Sequence, residues 1–267
     1  MGLSPREAVQ RWRLVLSRDP LSGEAGQRDQ LAAWDAALIA SGLPVAGLDA
    51  PKVKPRFAPA APLAAALAGE AELVDVWLVE RVPRWRVRES LAEVMPAGHR
   101  LLDLYDVWQG EAALPGRVAA SVYRAELADV APGDLEVAVA QLVAAETLPR
   151  ERRRGEATVT YDLRPFLVDL RMDAAEPHPC LWMTLRHDPE RGIGRPEEVL
   201  AALGDELGTP PTVVDLVRES ILLAEPAAPS PPAPRRGPGR GPARGRSAGS
   251  LQATGDTASG DRPVGNR

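Results

Sequence analysis

The sequence predicts an α+β fold of two ferredoxin-like (split βαβ) halves in tandem, residues 1–115 and 116–225, followed by a disordered tail, residues 226–267. Three observations predict it. Short segments with the two-residue period of a half-buried strand alternate with segments of helical period. Their order in the first half is strand, helix, irregular strand, strand, helix, strand, which is the split βαβ pattern. The second half opens with Val122-Tyr123-Arg124-Ala125-Glu126-Leu127, which repeats the aromatic–Arg pair and the Leu of Arg11-Trp12-Arg13-Leu14-Val15-Leu16.

In the first half, Trp12, Leu14 and Leu16 alternate with Arg11, Arg13 and Val15, giving a strand over residues 9–16. Pro20 and Gly23 lie in a turn-rich connection, and residues 28–40 form a helix that turns Leu31, Trp34, Ala37 and Leu38 inward and closes at Gly42. Residues 43–62 carry Pro44, Pro51, Pro55, Pro59 and Pro62, so this stretch pairs at most as a broken edge strand. Residues 73–82 alternate as a strand. Residues 83–94 form a helix with Val87, Leu91 and Val94 on one side, ended by Pro96 and Gly98, and residues 101–108 form the next strand.

In the second half, residues 122–127 are a strand and Asp134 is the N-cap of a helix over 135–147, with Val139, Leu142 and Val143 inward. Residues 156–164 and 166–172 read as strands bent at Pro165. Residues 181–186 form the following strand, with Leu181, Met183 and Leu185 on one face. Gly192 and Gly194 permit a reversal. Pro196 begins a helix over 196–203 with Glu197 and Glu198 in its first turn, Gly204 ends it, and residues 213–223 supply a last strand.

With two Phe and three Tyr, the core must be built from Ala, Leu and Val with six Trp. No apolar run approaches the roughly 20 residues that cross a bilayer, and the first residues lack a signal-peptide centre, so a cytoplasmic, non-membrane protein is expected. Cys180 is the only cysteine, which excludes an internal disulfide, a multi-thiolate zinc site and a cysteine-held cluster. It reads as a buried small hydrophobe. Three scattered histidines point to no metal site, and no cofactor is expected. The net charge of −5 is uneven: seven Arg and two Asp from Pro226 onward give that stretch +5, so residues 1–225 carry −10. An acidic body repels phosphate backbones unless its cations gather on one face.

The candidate catalytic residues are His187, Arg191 and Arg195, around the Gly-rich loop. A His and two Arg beside free backbone amides are the parts needed for acid–base chemistry on a phosphodiester. Glu197 and Glu198 compete with any phosphate for the helix N-terminus, so the loop reads first as a solvated turn into a capped helix. Asp162 and Arg164 share a strand face and are expected to form a local ion pair. Lys52, Lys54 and Arg56 beside Phe57 make a candidate RNA or partner surface, or else a cationic guard on an exposed edge. Arg235, Arg236, Arg240, Arg244 and Arg246 in the tail are candidates for contact with RNA phosphates.

Over about residues 10–225 the chain resembles the bacterial radical SAM-linked (radical SAM-associated) protein family, found next to or fused to a radical S-adenosylmethionine enzyme. The resemblance rests on Tyr161-Asp162-Leu163-Arg164-Pro165, on residues 181–187, and on Arg191-Gly192-Ile193-Gly194-Arg195-Pro196-Glu197-Glu198-Val199-Leu200. Ser41-Gly42-Leu43-Pro44, Phe57-Ala58-Pro59 and Glu70-Ala71-Glu72 add to it. Two signatures depart from the family. Its Ser-His-Leu-Asp reads here Gly26-Gln27-Arg28-Asp29, and its Gln-Gly-Phe-Asn-Pro-His-Pro-Lys is replaced by residues 47–54, where Pro51 and Lys54 keep their places. This chain is therefore a divergent member by resemblance. The resemblance implies a non-enzymatic accessory protein for a separate radical SAM enzyme, since the chain lacks the three-cysteine motif of the catalyst, with RNA as a possible second partner. The alternative is an RNA-processing or RNA-modifying enzyme that uses the loop from His187 to Arg195.

Overall fold

Trp12, Leu14 and Leu16 do turn to one face of the first strand, β1 (Gln10–Arg18), yet Arg11 and Arg13 on its other face are buried as well. Asp75 on the neighbouring strand and the carbonyls of Glu111 and Ala112 cover that face. The computed structural model describes residues 7–21, 26–154, 157–174 and 177–225. They fall in one compact unit, Met1–Pro226; the second unit, Ala227–Arg267, lies outside the described residues, and with it the expected tail.

Helix α1 (Gln27–Ala40) starts where the Asp29 carboxylate accepts the Gly26 amide, and ends where Ser41 donates its hydroxyl to the Leu38 carbonyl. Trp34, Ala37 and Leu38 face inward. The proline-rich stretch contributes only the short edge strand β2 (Phe57–Pro59). There follow β3 (Ala68–Leu78), α2 (Arg84–Ala92) with Val87 and Leu91 buried, and β4 (His99–Asp106). Next come β5 (Val118–Ala128), α3 (Pro132–Ala144), β6 (Pro149–Arg154) and β7 (Ala157–Asp162). The described chain closes with β8 (Leu167–Asp173), β9 (Cys180–Asp188), β10 (Gly192–Ile193), α4 (Pro196–Leu207) and β11 (Thr212–Leu223).

These elements make a mixed α/β architecture: one large mixed sheet with four α-helices among the described residues. The strand order is β10-β9-β5-β11-β3-β1-β4, with β2 paired to β3 and β8 to β9. Pairing is antiparallel except where β11 meets β3, parallel through Val217 with Ala68 and Arg218 with Gly69. The two largest hydrophobic clusters lie on the same face. Tyr123, which packs with Leu135, Leu142 and Leu203 of α3 and α4, is opposite Arg218 in register. Arg218 grips Glu72, which has the parity of Val74, Val76 and Leu78, packed against Trp34 and Leu38 of α1 and Val87 of α2. No helix among the described residues is long and apolar enough to cross a membrane.

Several local expectations are corrected. Strand β3 begins at Ala68 and ends at Leu78, because Gly69 and Glu72 are needed at the junction with β11. The cap of α3 is Ala131, with Pro132 and not Asp134 starting the helix, and Val143 is exposed. Within the expected strand 156–164, β7 (Ala157–Asp162) pairs with β6, an Arg-rich strand that no alternation betrays, and the two form a separate two-stranded sheet. A 3-10 turn, Arg164–Phe166, separates it from β8. Helix α4 runs through Gly204 to Leu207. Gly204 packs against Pro210, where a Cβ would come within 3.0 Å of Pro210 Cα, and Gly208, at φ +75°, makes the left-handed cap. Cys180 is only partly buried.

Candidate functional site

Where β3, β11 and β5 meet, the helix-side face of the sheet turns from apolar to polar. Arg218 is 1% exposed and forks onto Glu72: Nε donates to Oε1 at 2.8 Å and Nη2 to Oε2. Its remaining donors go to the Pro62 carbonyl at 3.0 Å and the Ala61 carbonyl at 3.2 Å. Arg18, in register with the same Gly69, reaches the carbonyls of Leu63, Ala64 and Leu67 and the Gln30 side chain. Gly69 leaves the room: a Cβ there would lie 2.6 Å from Glu72 Oε1. Two buried arginines thus hold down the strap of residues 60–67, because an arginine out of water needs carbonyl or carboxylate partners for every donor it can satisfy.

Above this floor lies a cleft of about 740 Å³. One wall is Gly26 and Gln30 at the start of α1 with residues 62–67; the other is residues 192–198, the turn into α4; Tyr123 is at its base. Burial holds the Tyr123 hydroxyl above its usual range, so it remains a neutral donor. Gly194 packs closely on Phe166 and Leu185, where a Cβ added to it would lie 3.0 and 3.1 Å from their Cβ atoms, so the Gly-rich loop sits close on the sheet.

His187 points to the sheet. Its Nε2 lies 2.9 Å from Ser121 Oγ, a fully buried hydroxyl. Burial, and then the charge of Arg218, push the imidazole down to about 4, so it is neutral at pH 7. Asp188 accepts the Glu190 and Arg191 amides, each at 2.9 Å, and these bonds lower its carboxyl. Arg191 is exposed, and Arg195, the residue before α4, lies on the cleft wall. Glu198 receives the Tyr161 hydroxyl hydrogen. Of the three candidate catalytic residues, the fold brings Arg195 to the cleft and ties His187 into the sheet.

The expected Asp162–Arg164 ion pair is replaced by two backbone roles. Asp162 accepts the amides of Leu148 at 2.8 Å and Arg164 at 3.0 Å. Arg164 donates to the carbonyls of Val143, Ala145 and Leu167, closing the C-terminal end of α3, where a cation is favoured. Lys52 and Lys54 are exposed, while Arg56 stacks over Trp77 at 4.6 Å, with Arg11 also 4.9 Å from that ring. Arg235, Arg236, Arg240, Arg244 and Arg246 lie outside the described residues.

The opposite face of the sheet holds a second charged cluster. Asp75 takes Arg11 and Arg13 together, and Glu111 joins Arg13 to Arg117. The Arg11 fork also donates to the Glu111 and Ala112 carbonyls, at 2.8 and 3.0 Å. Neither cluster was singled out from sequence, although an Asp inside Leu73-Val74-Asp75-Val76 and an Arg following Val217 in the last strand are the signals that point to them.

No curated protein matches this chain. Among solved structures, a chain from the crystal structure of a Cbf5–Nop10–Gar1 complex is similar with a TM-score of 0.44 and 10% identity, over 79% of this chain and 48% of that one. The present chain therefore spans about half the length of that relative. A crystal structure of an unknown protein from Galdieria sulphuraria gives a TM-score of 0.25 and 14% identity, over 79% of this chain and 99% of that one. Both scores are too low to carry an argument. A family model matches residues 25–196, a span that reaches from one rim of the cleft at Gly26 to the other at Pro196. The chain belongs to this family, described as an uncharacterized protein conserved in bacteria (DUF2344).

Proposed function

We propose that this is a cytoplasmic, non-enzymatic accessory protein that works with a separate radical SAM enzyme, contacts RNA through its basic C-terminal stretch, and is built as two tandem ferredoxin-like halves. The sequence resemblance supplies the partner. The tandem reading is supported by the strand orders β4-β1-β3-β2 and β11-β5-β9-β8, which follow one pattern relative to chain order. The observation that carries the non-catalytic reading is that the reactive groups at and beneath the cleft are committed to structural bonds: Glu198 on its wall to Tyr161, Glu72 beneath it to Arg218, and His187, which does not line it, to Ser121. The test is co-expression of the full chain with radical SAM enzymes of the same organism. A stoichiometric complex is expected, with RNA crosslinking that is lost on removing residues 226–267. Recovery of neither enzyme nor RNA overturns the proposal.

A second reading, an RNA-processing or RNA-modifying enzyme, is favoured by one observation: residues 192–195 of the candidate loop form a wall of the cleft. It requires His187, Arg191 or Arg195 in chemistry on RNA. RNA turnover by purified protein that is abolished by His187→Ala and Arg195→Ala would support it, and turnover unchanged in both would end it.

A further inference from the structure

Beneath the strap of residues 60–67, on the side away from the cleft, lies a second cavity of about 290 Å³. Its walls are mostly apolar, including Leu16, Leu63, Val74 and the Trp34 ring, which meets His99 edge to face at 5.5 Å; Gln30 and Glu72, the latter held by Arg218, also line it. At liquid density this is room for about ten waters, enough for one small organic molecule.

Arg18 lines this cavity and is 3% exposed. Its guanidinium has five N–H donors. Nη1 serves Gln30 and Leu63, and Nη2 serves Ala64 and Leu67. The fifth, at Nε, is buried without an acceptor among the described residues. Among the described residues the charge also has no carboxylate of its own. Glu72, the nearby carboxylate, is already forked by Arg218, so Arg18, Arg218 and Glu72 together carry one net positive charge in a buried place. A buried donor without an acceptor and a buried charge without a counter-ion are each costly, and one ligand group removes both costs.

We propose that this cavity is a binding site for a small monocarboxylate with an apolar or aromatic body, its carboxylate accepting the Arg18 Nε–H and its body lying against Trp34. One free donor and one uncompensated charge match a single carboxylate. A phosphate would bring more acceptors and more charge than the site answers. The apolar walls exclude a strongly hydrated anion. His99 donates through Nδ1 to the Ala97 carbonyl at 3.1 Å, and burial lowers its imidazole, so it stands beside the ligand as a neutral ring. The site shares the Glu72–Arg218 pair with the floor of the cleft, but it needs neither RNA nor a radical SAM enzyme and stands or falls separately from those readings.

The experiment is titration of the full chain with phenylacetate, its neutral analogue phenylacetamide, and toluene, followed by calorimetry and by the NMR signal of the Arg18 Nε–H. Saturable phenylacetate binding that shifts this signal is expected, with both neutral probes weaker by about tenfold or more, the cost of losing a charge-assisted hydrogen bond. Arg18 also fastens the strap, so its replacement can unfold the region; Ala61→Leu fills the cavity and leaves Arg18 intact. This variant is expected to keep its fold and lose phenylacetate binding. The proposal is overturned if no probe binds, if all three bind equally, or if Ala61→Leu binds phenylacetate as well as the original chain.

Discussion

Arg218 on β11 and Glu72 on β3 form a two-point ion pair across the parallel junction of the sheet, and the carbonyls of Ala61 and Pro62 complete the coordination of the arginine. The pair joins the two hydrophobic clusters and holds the strap between cleft and cavity. Glu72→Ala leaves Arg218 and Arg18 buried with no carboxylate, at an expected cost of about 3–5 kcal/mol in urea denaturation. The double variant Glu72→Ala/Arg218→Met removes one of the stranded charges and should lose less than the single one. Equal losses would show that the pair is not coupled.

Asp75 and Asp103 separate a buried carboxylate from an exposed one. Asp75 is fully buried between Arg11 and Arg13, while Asp103 meets Arg84 and Arg88 at the surface. Asp75→Asn keeps the shape and strips the charge, and should cost about 3–5 kcal/mol. Asp103→Asn should leave the denaturation midpoint unchanged, since exposed pairs contribute little. Equal effects of the two substitutions would contradict the burial argument.

His187 makes stability depend on pH. Its folded-state value lies near 4, below the ordinary 6.5, so the unfolded chain takes up the proton first as pH falls. The contribution is complete above about 6.5 and is lost as pH drops toward 4. Melting temperatures of the original chain and of His187→Gln, compared at pH 7.5 and 4.5, should show the larger acid-induced fall in the original. Parallel falls would mean that His187 is solvated.

Gly47 and Gly42 both have positive φ, +91° and +66°, but only Gly47 is also crowded: a Cβ would lie 2.1 Å from the Lys54 carbonyl oxygen. Gly47 therefore closes the loop of residues 47–54, through which the Lys54 amide also reaches the Gly47 carbonyl at 3.1 Å. Gly42→Ala should cost about 1–2 kcal/mol for the left-handed backbone alone. Gly47→Ala adds a collision with main chain and should cost clearly more by thermal denaturation. The reverse order would refute this account of the loop.

Much of the element order was legible because its causes are local. Trp12, Leu14 and Leu16 announce a strand by period, Pro196 with Glu197 and Glu198 announces a helix start, and the prolines of residues 43–62 announce a stretch that pairs only in pieces, through β2 and the bridge of Val45 to Leu78. Strand β6 was missed because Pro-Arg-Glu-Arg-Arg-Arg has no apolar alternation, and its pairing with β7 leaves it outside the main sheet. The end of α4 was misplaced because Gly204 stops a helix by propensity, while its packing on Pro210 rewards the missing side chain.

The site divides the same way. By itself the sequence determined the strand and helix periods and the Gly-rich turn into α4. Only the tertiary structure decided that His187 is a neutral, sheet-bound imidazole, that Arg164 closes a helix rather than pairing with Asp162, and that Arg18, Arg218, Glu72 and Asp75 are buried. The reason is separation along the chain. Arg11 finds Asp75 across 64 residues, His187 finds Ser121 across 66, and Arg218 finds Glu72 across 146, distances that no local period encodes. Whether a charge is solvated or buried depends on those partners, and the fold alone brings them together.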